Sequence, residues 1–156
     1  IYEIVEKIKR KQFDNQNILG VFIRGTDYVS LKPKNHPIQP SIDEVIKKIK
    51  EFYNKYNVEK IYVVTEDFSY YERIKSEFKN VFSFGDNFVK NYKQGNYVSE
   101  EFNNSPYERG LNYLIRILLL SYCNYTVCSQ ASGSKFLKLI RKTKPIDEYW
   151  FNLGNY

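Results

Sequence analysis

The sequence predicts a three-layer α/β domain of the Rossmann type, built on a mainly parallel sheet of about five strands. Three observations point there. Apolar runs of strand length, continuous in the way of strands buried on both faces, alternate with amphipathic segments of helical period. Serine–glutamate pairs three apart mark helix starts behind polar loops. Polar side chains cluster just after three of the strand runs, where open parallel sheets place their ligands.

The elements follow in order along the chain. Ile1, Ile4, Val5 and Ile8 recur at helical spacing and open an amphipathic helix. Ile18-Leu19-Gly20-Val21-Phe22-Ile23 is the first buried strand. Pro33, Pro37 and Pro40 then keep the connection irregular, because proline lacks the N–H that regular structure needs. Ser41 and Glu44 form a capping box for a helix whose apolar face is Ile42, Val45, Ile46, Ile49, Tyr53 and Tyr56. Ile61-Tyr62-Val63-Val64 is the second strand. A second box, Ser69 with Glu72, is expected to open the helix carrying Tyr71, Ile74 and Phe78. Val81-Phe82-Ser83-Phe84 reads as a short third strand.

Residues 85 to about 104 are polar, contain two glycines and show no period, so they read as a long functional or mobile loop. Ser105, Pro106 and Glu108 start the longest helix, with Leu111, Leu114, Ile115, Leu118 and Tyr122 on its inner face. Tyr125-Thr126-Val127-Cys128 is the fourth strand, and a helix from about Ser134 to Lys142 follows. Tyr149-Trp150-Phe151 closes the sheet as a last strand.

Composition narrows the function classes. At 156 residues, 42% hydrophobic and 17% aromatic, residues 1–156 read as a single ordered domain. The absence of methionine suggests a portion of a longer protein. No apolar run approaches the roughly 20 residues that cross a bilayer. The +6 net charge raises nucleic acid as a partner. The basic residues are spread over helix faces, however (Lys47, Lys48, Lys50, Lys55; Lys135, Lys138, Arg141, Lys142), so a lysine-rich surface is the expected reading and no nucleic-acid partner is implied. Tyr92 and Tyr97 in the long loop are the residues an RNA-stacking reading would use. Cys123 and Cys128, with one histidine in the chain, do not make a zinc set and read as buried thiols of a reducing, cytoplasmic setting. Peripheral membrane association stays open.

Three strand ends carry candidate chemistry. After the first strand, Arg24-Gly25-Thr26-Asp27 offers a guanidinium suited to bidentate phosphate contacts, a glycine for close backbone approach, and two acceptors able to orient the arginine. An internal Arg24–Asp27 pair is the competing reading. After the second strand, Glu66 and Asp67 could accept from sugar hydroxyls, with Asp67 alternatively a helix cap. After the fourth, Ser132, Gly133 and Ser134 enter a helix whose free N–H groups favour phosphate, with simple capping as the alternative. His36, the only histidine in the chain, could touch a donor phosphate, act in acid–base work or lie idle in its loop.

Gly20-Val21-Phe22-Ile23-Arg24-Gly25-Thr26-Asp27-Tyr28 resembles the first motif of the GT-B fucosyltransferase superfamily, which includes α1,2-, α1,6- and protein O-fucosyltransferases. Val63-Val64-Thr65-Glu66-Asp67 is similar to its second motif. Leu118-Leu119-Leu120-Ser121 with Tyr125-Thr126-Val127-Cys128-Ser129-Gln130-Ala131-Ser132 is similar to its third. The resemblance implies the C-terminal, donor-binding lobe of a two-lobed enzyme that inverts the anomeric centre and generally needs no metal or other cofactor. Its donor would be GDP-fucose or a related nucleotide sugar, and its acceptor a glycan in surface polysaccharide assembly. The N-terminal lobe would be a missing partner, without which the domain is inactive. Arg24 and Asp27 would be the catalytic pair, Arg24 on the β-phosphate and Asp27 orienting it. Gly25, Thr26, His36, Glu66, Asp67, Ser132, Gly133 and Ser134 would serve the donor. Three positions depart from the family pattern: Phe22 stands in place of a histidine, Arg116 in place of an aspartate that reads guanine, and Gly25 in place of the second arginine of α1,6 enzymes. A non-catalytic nucleotide-binding or regulatory module of the same fold is the alternative.

Overall fold

In the computed structural model, which describes residues 1–14, 16–103, 105–141 and 144–156, five strands form one wholly parallel sheet. They are β1 (Ile18–Phe22), β2 (Lys60–Val64), β3 (Val81–Phe82), β4 (Tyr125–Cys128) and β5 (Asp147–Trp150), in the order β3-β2-β1-β4-β5. The chain winds outward from β1 to β3 and then returns to the other side of β1. The β1/β4 junction is therefore the topological switch point, outside whose carboxyl edge such sheets bind ligands.

Alternation along β1 explains the layering, since successive side chains face opposite ways. Ile18 and Phe22 point into a core shared with α1 (Tyr2–Gln12), α5 (Pro106–Leu120) and α6 (Ser132–Ile140). Leu19, Val21 and Ile23 point into a second core, packed by α3 (Ile42–Lys55) and α4 (Phe68–Glu77). Gly20, in the middle of β1, takes no side chain because Leu120 and Cys123 press there: a Cβ would lie 2.5 Å from Leu120 Cδ1. Cys123 and Cys128 are both free and buried, as expected.

The capping boxes at Ser41/Glu44 and Ser105/Glu108 form, with Pro106 in the first turn. Other expectations are corrected. Helix α4 is capped by Asp67, whose Oδ1 accepts from the Ser69 and Tyr70 N–H groups at 2.9 and 3.3 Å and from the Ser69 hydroxyl at 2.6 Å. A carboxylate two residues earlier serves both free N–H groups at once, and so takes the place expected for Ser69. On α3, Phe52 is buried while Tyr53 is exposed. The C-terminal half of α5 is buried on nearly every side, at Ile115, Arg116, Ile117, Leu119 and Leu120, because it lies between the sheet and its neighbouring helices. Strand β3 has two residues, not four. Helix α6 begins at Ser132 and ends at Ile140; its expected last residue, Lys142, lies outside the described residues. A five-residue helix, α2 (Thr26–Ser30), occupies the start of the proline-containing connection.

The long segment after β3 is tied down where it is described. Val89 exchanges main-chain bonds with Glu66 and Phe68, the Tyr92 hydroxyl meets Ser30 Oγ at 2.7 Å, and a short 3₁₀ turn spans Val98–Glu100. Asn104, at its expected end, lies outside the described residues. No described helix is long and apolar enough to cross a membrane.

Candidate functional site

A cavity of about 300 Å³ opens at the carboxyl ends of β1 and β2, beneath α5 and the 85–103 segment. Phe22, Ile23 and Arg24 enter it from β1, and Val64, Thr65 and Glu66 from β2. Arg109, Gly110, Tyr113 and Arg116 line it from α5, and Asn87, Val98, Ser99 and Phe102 from the long segment. Its walls are mostly apolar, with a few polar groups converging, the usual make-up of a small-molecule site.

Arg24 is its charged centre. The side chain is 16% exposed. Nη2 donates to Asp27 Oδ1 at 3.0 Å. Nε lies 3.0 Å from Glu66 Oε1, off the line of a good hydrogen bond, which makes that contact an ion pair. The guanidinium also covers the Tyr28 ring at 4.4 Å. Burial pulls its pKa down, yet the Glu66 and Asp27 carboxylates outweigh that and hold it above the ordinary arginine value. The internal pair and the cavity-facing position are thus both realised.

Asp27 is saturated. Its Oδ1 also accepts from the Thr26 hydroxyl and its own neighbour's amide, Tyr28 N–H, while Oδ2 accepts Val98 N–H at 3.2 Å. It orients Arg24 and fastens the overlying segment. Glu66 Oε1 accepts from Gly25 N–H and Thr26 Oγ1, both at 2.9 Å. Thr26 adopts φ 39°, a left-handed value that costs a β-branched residue strain, here held by these bonds and by Asp67 Oδ2 on its N–H. Such outliers gather at functional sites.

The remaining expected residues divide. Gly25 is required for close approach, but of Asp67: a Cβ would sit 2.4 Å from Asp67 Oδ2. Asp67 caps α4 and lines a shallow groove beyond Thr26, outside the cavity. Ser134 is fully buried, its hydroxyl closing the first turn of α6 on Ala131. Ser132 is exposed at the start of α6, and Gly133 is buried. His36 is exposed, hydrogen-bonded to the Lys34 carbonyl and edge-on to Tyr28, and is not on the cavity wall.

Sequence reading singled out Arg116 only as a departure from the family pattern and missed Arg109 and Tyr113 beside it on α5. Arg109, Tyr113 and Arg116, at i, i+4 and i+7, share one helix face. The Tyr113 hydroxyl bonds Arg24 and occupies the position a Gly133 Cβ would take, 1.9 Å away, so it joins Arg24 to the start of α6. Burial pushes its pKa up to about 12, against the pull of Arg24, so at neutral pH it remains a hydroxyl donor. Gln39 was also missed; its amide donates to the Gln130 carbonyl at 2.9 Å and steadies the turn before α6. Among the described residues no cluster of three or more His, Cys, Asp or Glu could hold a metal ion.

The fold has solved counterparts. NodZ alpha-1,6-fucosyltransferase co-crystallised with GDP superposes with a TM-score of 0.55 and 14% identity, over 90% of this chain and 40% of that one. Fucosyltransferase NodZ from Bradyrhizobium matches equally well, at 0.55 and 14%, over 90% and 41%. POFUT1 in complex with GDP gives 0.59 and 11%, over 96% and 46%. The chain thus spans less than half the length of these structures, and at such identities the likeness is one of fold. No curated protein sequence matches the chain significantly. The family of alpha-(1,6)-fucosyltransferase N- and catalytic domains matches residues 2–134, most of the chain, and the protein belongs to that family.

Proposed function

We propose that this chain is the C-terminal donor-binding lobe of a GT-B, fucosyltransferase-like glycosyltransferase, and that its cavity takes a nucleoside-diphosphate sugar, GDP-fucose or a close relative. The observation that carries the reading is Arg24: a guanidinium at the end of β1, facing a mostly apolar cavity at the sheet's carboxyl edge. Family membership and the GDP held by NodZ and POFUT1 support the choice of donor class.

In this reading an acceptor hydroxyl, presented by an N-terminal lobe, attacks the anomeric carbon from the face opposite the diphosphate and inverts it. The glycan acceptor and the general base belong to that lobe. Arg24 stabilises the charge that develops on the departing diphosphate, acting in a dry site where such charge is worth most. Asp27 keeps Arg24 aimed, Tyr113 adds a neutral donor beside it, and Ser132 and the adjacent backbone close the phosphate end. Glu66 has one oxygen committed to Arg24, Gly25 and Thr26; its other oxygen would accept from a sugar hydroxyl. The charge on Arg24 would meet the need that a metal ion meets in other transferases.

The test is calorimetric titration of the protein with GDP, GDP-fucose, UDP and ADP, beside the Arg24→Ala variant. Binding of at least one nucleotide, weakened about tenfold or more by the substitution, is expected. No binding by any of the four would sink the reading, and binding indifferent to Arg24 would move the site elsewhere. One observation favours a second reading, a nucleotide-binding or regulatory module without catalysis: Asp27 and Glu66 already neutralise Arg24. That reading predicts nucleotide binding with no transfer by the full-length protein.

A further inference from the structure

The outward face of α6 is apolar as well as basic. Leu137 is fully buried, and Gly133 and Ser134 lie on the same inner side of the helix. Residues turn by about 100° each, so Lys135 and Leu139 point away from that side, with Phe136 and Lys138 on the flanks. Leu139, at 82%, is the most exposed large apolar side chain among the described residues. Phe136 is exposed beside it, and Ile146, just before β5, is 68% exposed. A single exposed leucine needs no explanation. Three exposed apolar side chains within residues 136–146, interleaved with lysines, call for one.

The charge on this face is uncompensated. From Ser129 to Ile146 the sequence has five basic residues and no acidic one. Arg141 among them turns inward, its side chain 6% exposed and paired with Glu148. Lys135, Lys138 and Lys144 are exposed, and no described carboxylate lies within ion-pair distance of them. The Lys138 ammonium lies instead over the Trp150 ring, 3.9 Å from its centre. On α3 the pattern differs, since Lys48, Lys50 and Lys55 pair with Glu51, Glu77 and Asp147.

The mixture of charge and apolar surface selects the partner. A second copy would bring lysines against lysines. A nucleic acid would pair with the lysines but leave Leu139 and Ile146 wet. An anionic bilayer satisfies both, because ammonium groups sit among the phosphates while apolar side chains enter the acyl boundary. Lysine suits the arrangement, its stem lying along apolar surface with the charge in the headgroups. We infer that α6, extended by Lys144 and Ile146, is a peripheral docking surface for an anionic membrane, with the helix lying along the leaflet. This surface is separate from the donor cavity and does not depend on it. The two are close, however: α6 begins at Gly133, against Tyr113 of the cavity wall, and its nine residues are about 14 Å long.

Flotation of the protein with vesicles tests this. Vesicles of phosphatidylcholine alone are compared with phosphatidylcholine–phosphatidylglycerol mixtures, at roughly 0.1 and 0.5 M salt. We expect binding at least about tenfold stronger to the anionic vesicles at the lower salt, and most of it lost at the higher. Leu139→Ser, at a solvent-exposed position, should weaken it about tenfold. Lys135→Gln with Lys138→Gln should weaken it by about tenfold or more, at roughly fivefold per lysine. Lys48→Gln with Lys50→Gln, the same change of charge on α3, should leave it within about threefold, because attraction to the leaflet fades within a Debye length. No binding to anionic vesicles would overturn the inference. So would binding indifferent to Leu139→Ser, or an α3 pair as damaging as the α6 pair. Capture of a single-stranded RNA probe at a salt concentration where vesicles are not bound would assign the face to nucleic acid and overturn it too. None of the substituted residues lines the cavity. Titration of the same variants with GDP therefore separates a failure here from a failure of the donor-site reading.

Discussion

The Glu66 carboxylate and the Arg24 guanidinium meet 3.0 Å apart on the wall of the cavity, and the same carboxylate oxygen holds the Gly25 amide and the Thr26 hydroxyl. The two strand ends, β1 and β2, are thereby locked by one anion around one cation. Asp27 supplies the second anion at 3.0 Å. Because both ion pairs are largely buried, removing the cation leaves two unpaired carboxylates, whereas removing one anion leaves Arg24 still paired. Arg24→Gln should therefore cost about 3 kcal/mol of unfolding free energy, and Glu66→Gln about 1–2 kcal/mol. Urea unfolding of both single variants and the double variant checks this. The double variant should be more stable than additivity predicts, by roughly 0.5–3 kcal/mol; strict additivity would mean the contact contributes nothing.

A second expectation concerns Gly133 and Tyr113, which come together only because α5 and α6 pack on the same face of the sheet. An added Cβ at Gly133 would fall 1.9 Å from the tyrosine hydroxyl and 2.8 Å from Cζ. Gly133→Ala should destabilise the protein by about 1–3 kcal/mol, since either the helix or the ring must shift. In a Tyr113→Ala background the same substitution should cost much less, because only the milder contact with Phe22 Cε2, at 3.2 Å, remains. Thermal melts of the four proteins give the answer, and an equal penalty in both backgrounds would place the strain elsewhere.

These two sites show what was legible in the sequence. The strands could be read because continuous apolar runs of five or so residues have few uses other than a doubly covered parallel sheet. Arg24, Asp27, Glu66 and Asp67 could be read because charged residues directly after such runs must lie at the sheet's edge. Arg109 and Tyr113 could not, and Arg116 entered only as a departure from the family pattern. Their spacing is visible, but which face of α5 meets the cavity depends on how the helix rolls against β2 and α6, and Arg116 looks in the sequence like an interruption of an apolar run. The α4 cap was misread for a local reason. Asp67 and Ser69 are both competent, and the carboxylate prevails by accepting from two N–H groups. At Ser134 the capping alternative is realised, its hydroxyl consumed within its own turn.

The two cysteines yield a chemical expectation. Burial pushes the Cys128 thiol up to about 12 and Cys123 higher still, and the nearby Arg141 only partly opposes it. The reactive species is the thiolate, so neither should react with a thiol reagent at pH 8 while the protein is folded. Ellman's reagent should detect no accessible thiol in native protein and two in urea. Prompt reaction of either thiol under native conditions would show that the α5–β4 turn opens far more readily than its burial implies.

The last expectation is acid sensitivity, and its sign follows from the capping boxes. The Ser41 and Ser105 N–H and hydroxyl groups donate to Glu44 and Glu108, and hold both carboxyls below the ordinary glutamate value of 4.5. The Tyr56 hydroxyl and Lys55 hold Asp147 below 3.8 in the same way. In each case the folded state binds its proton less readily than the unfolded chain. The unfolded state therefore takes up more protons as pH falls, and stability drops with it. The contribution is complete above about pH 5.5, where both states are ionised, and it drains away as pH falls through 4.5 and below. All three groups are near the surface, so solvent screening keeps each contribution small. Urea midpoints should be level between pH 6 and 8 and decline from pH 5 to pH 3.5. Glu108→Gln should lower the midpoint at pH 6 and make the decline shallower, because the variant has one fewer carboxylate to protonate. A decline of unchanged steepness in that variant would show that the box at the start of α5 takes no part in it.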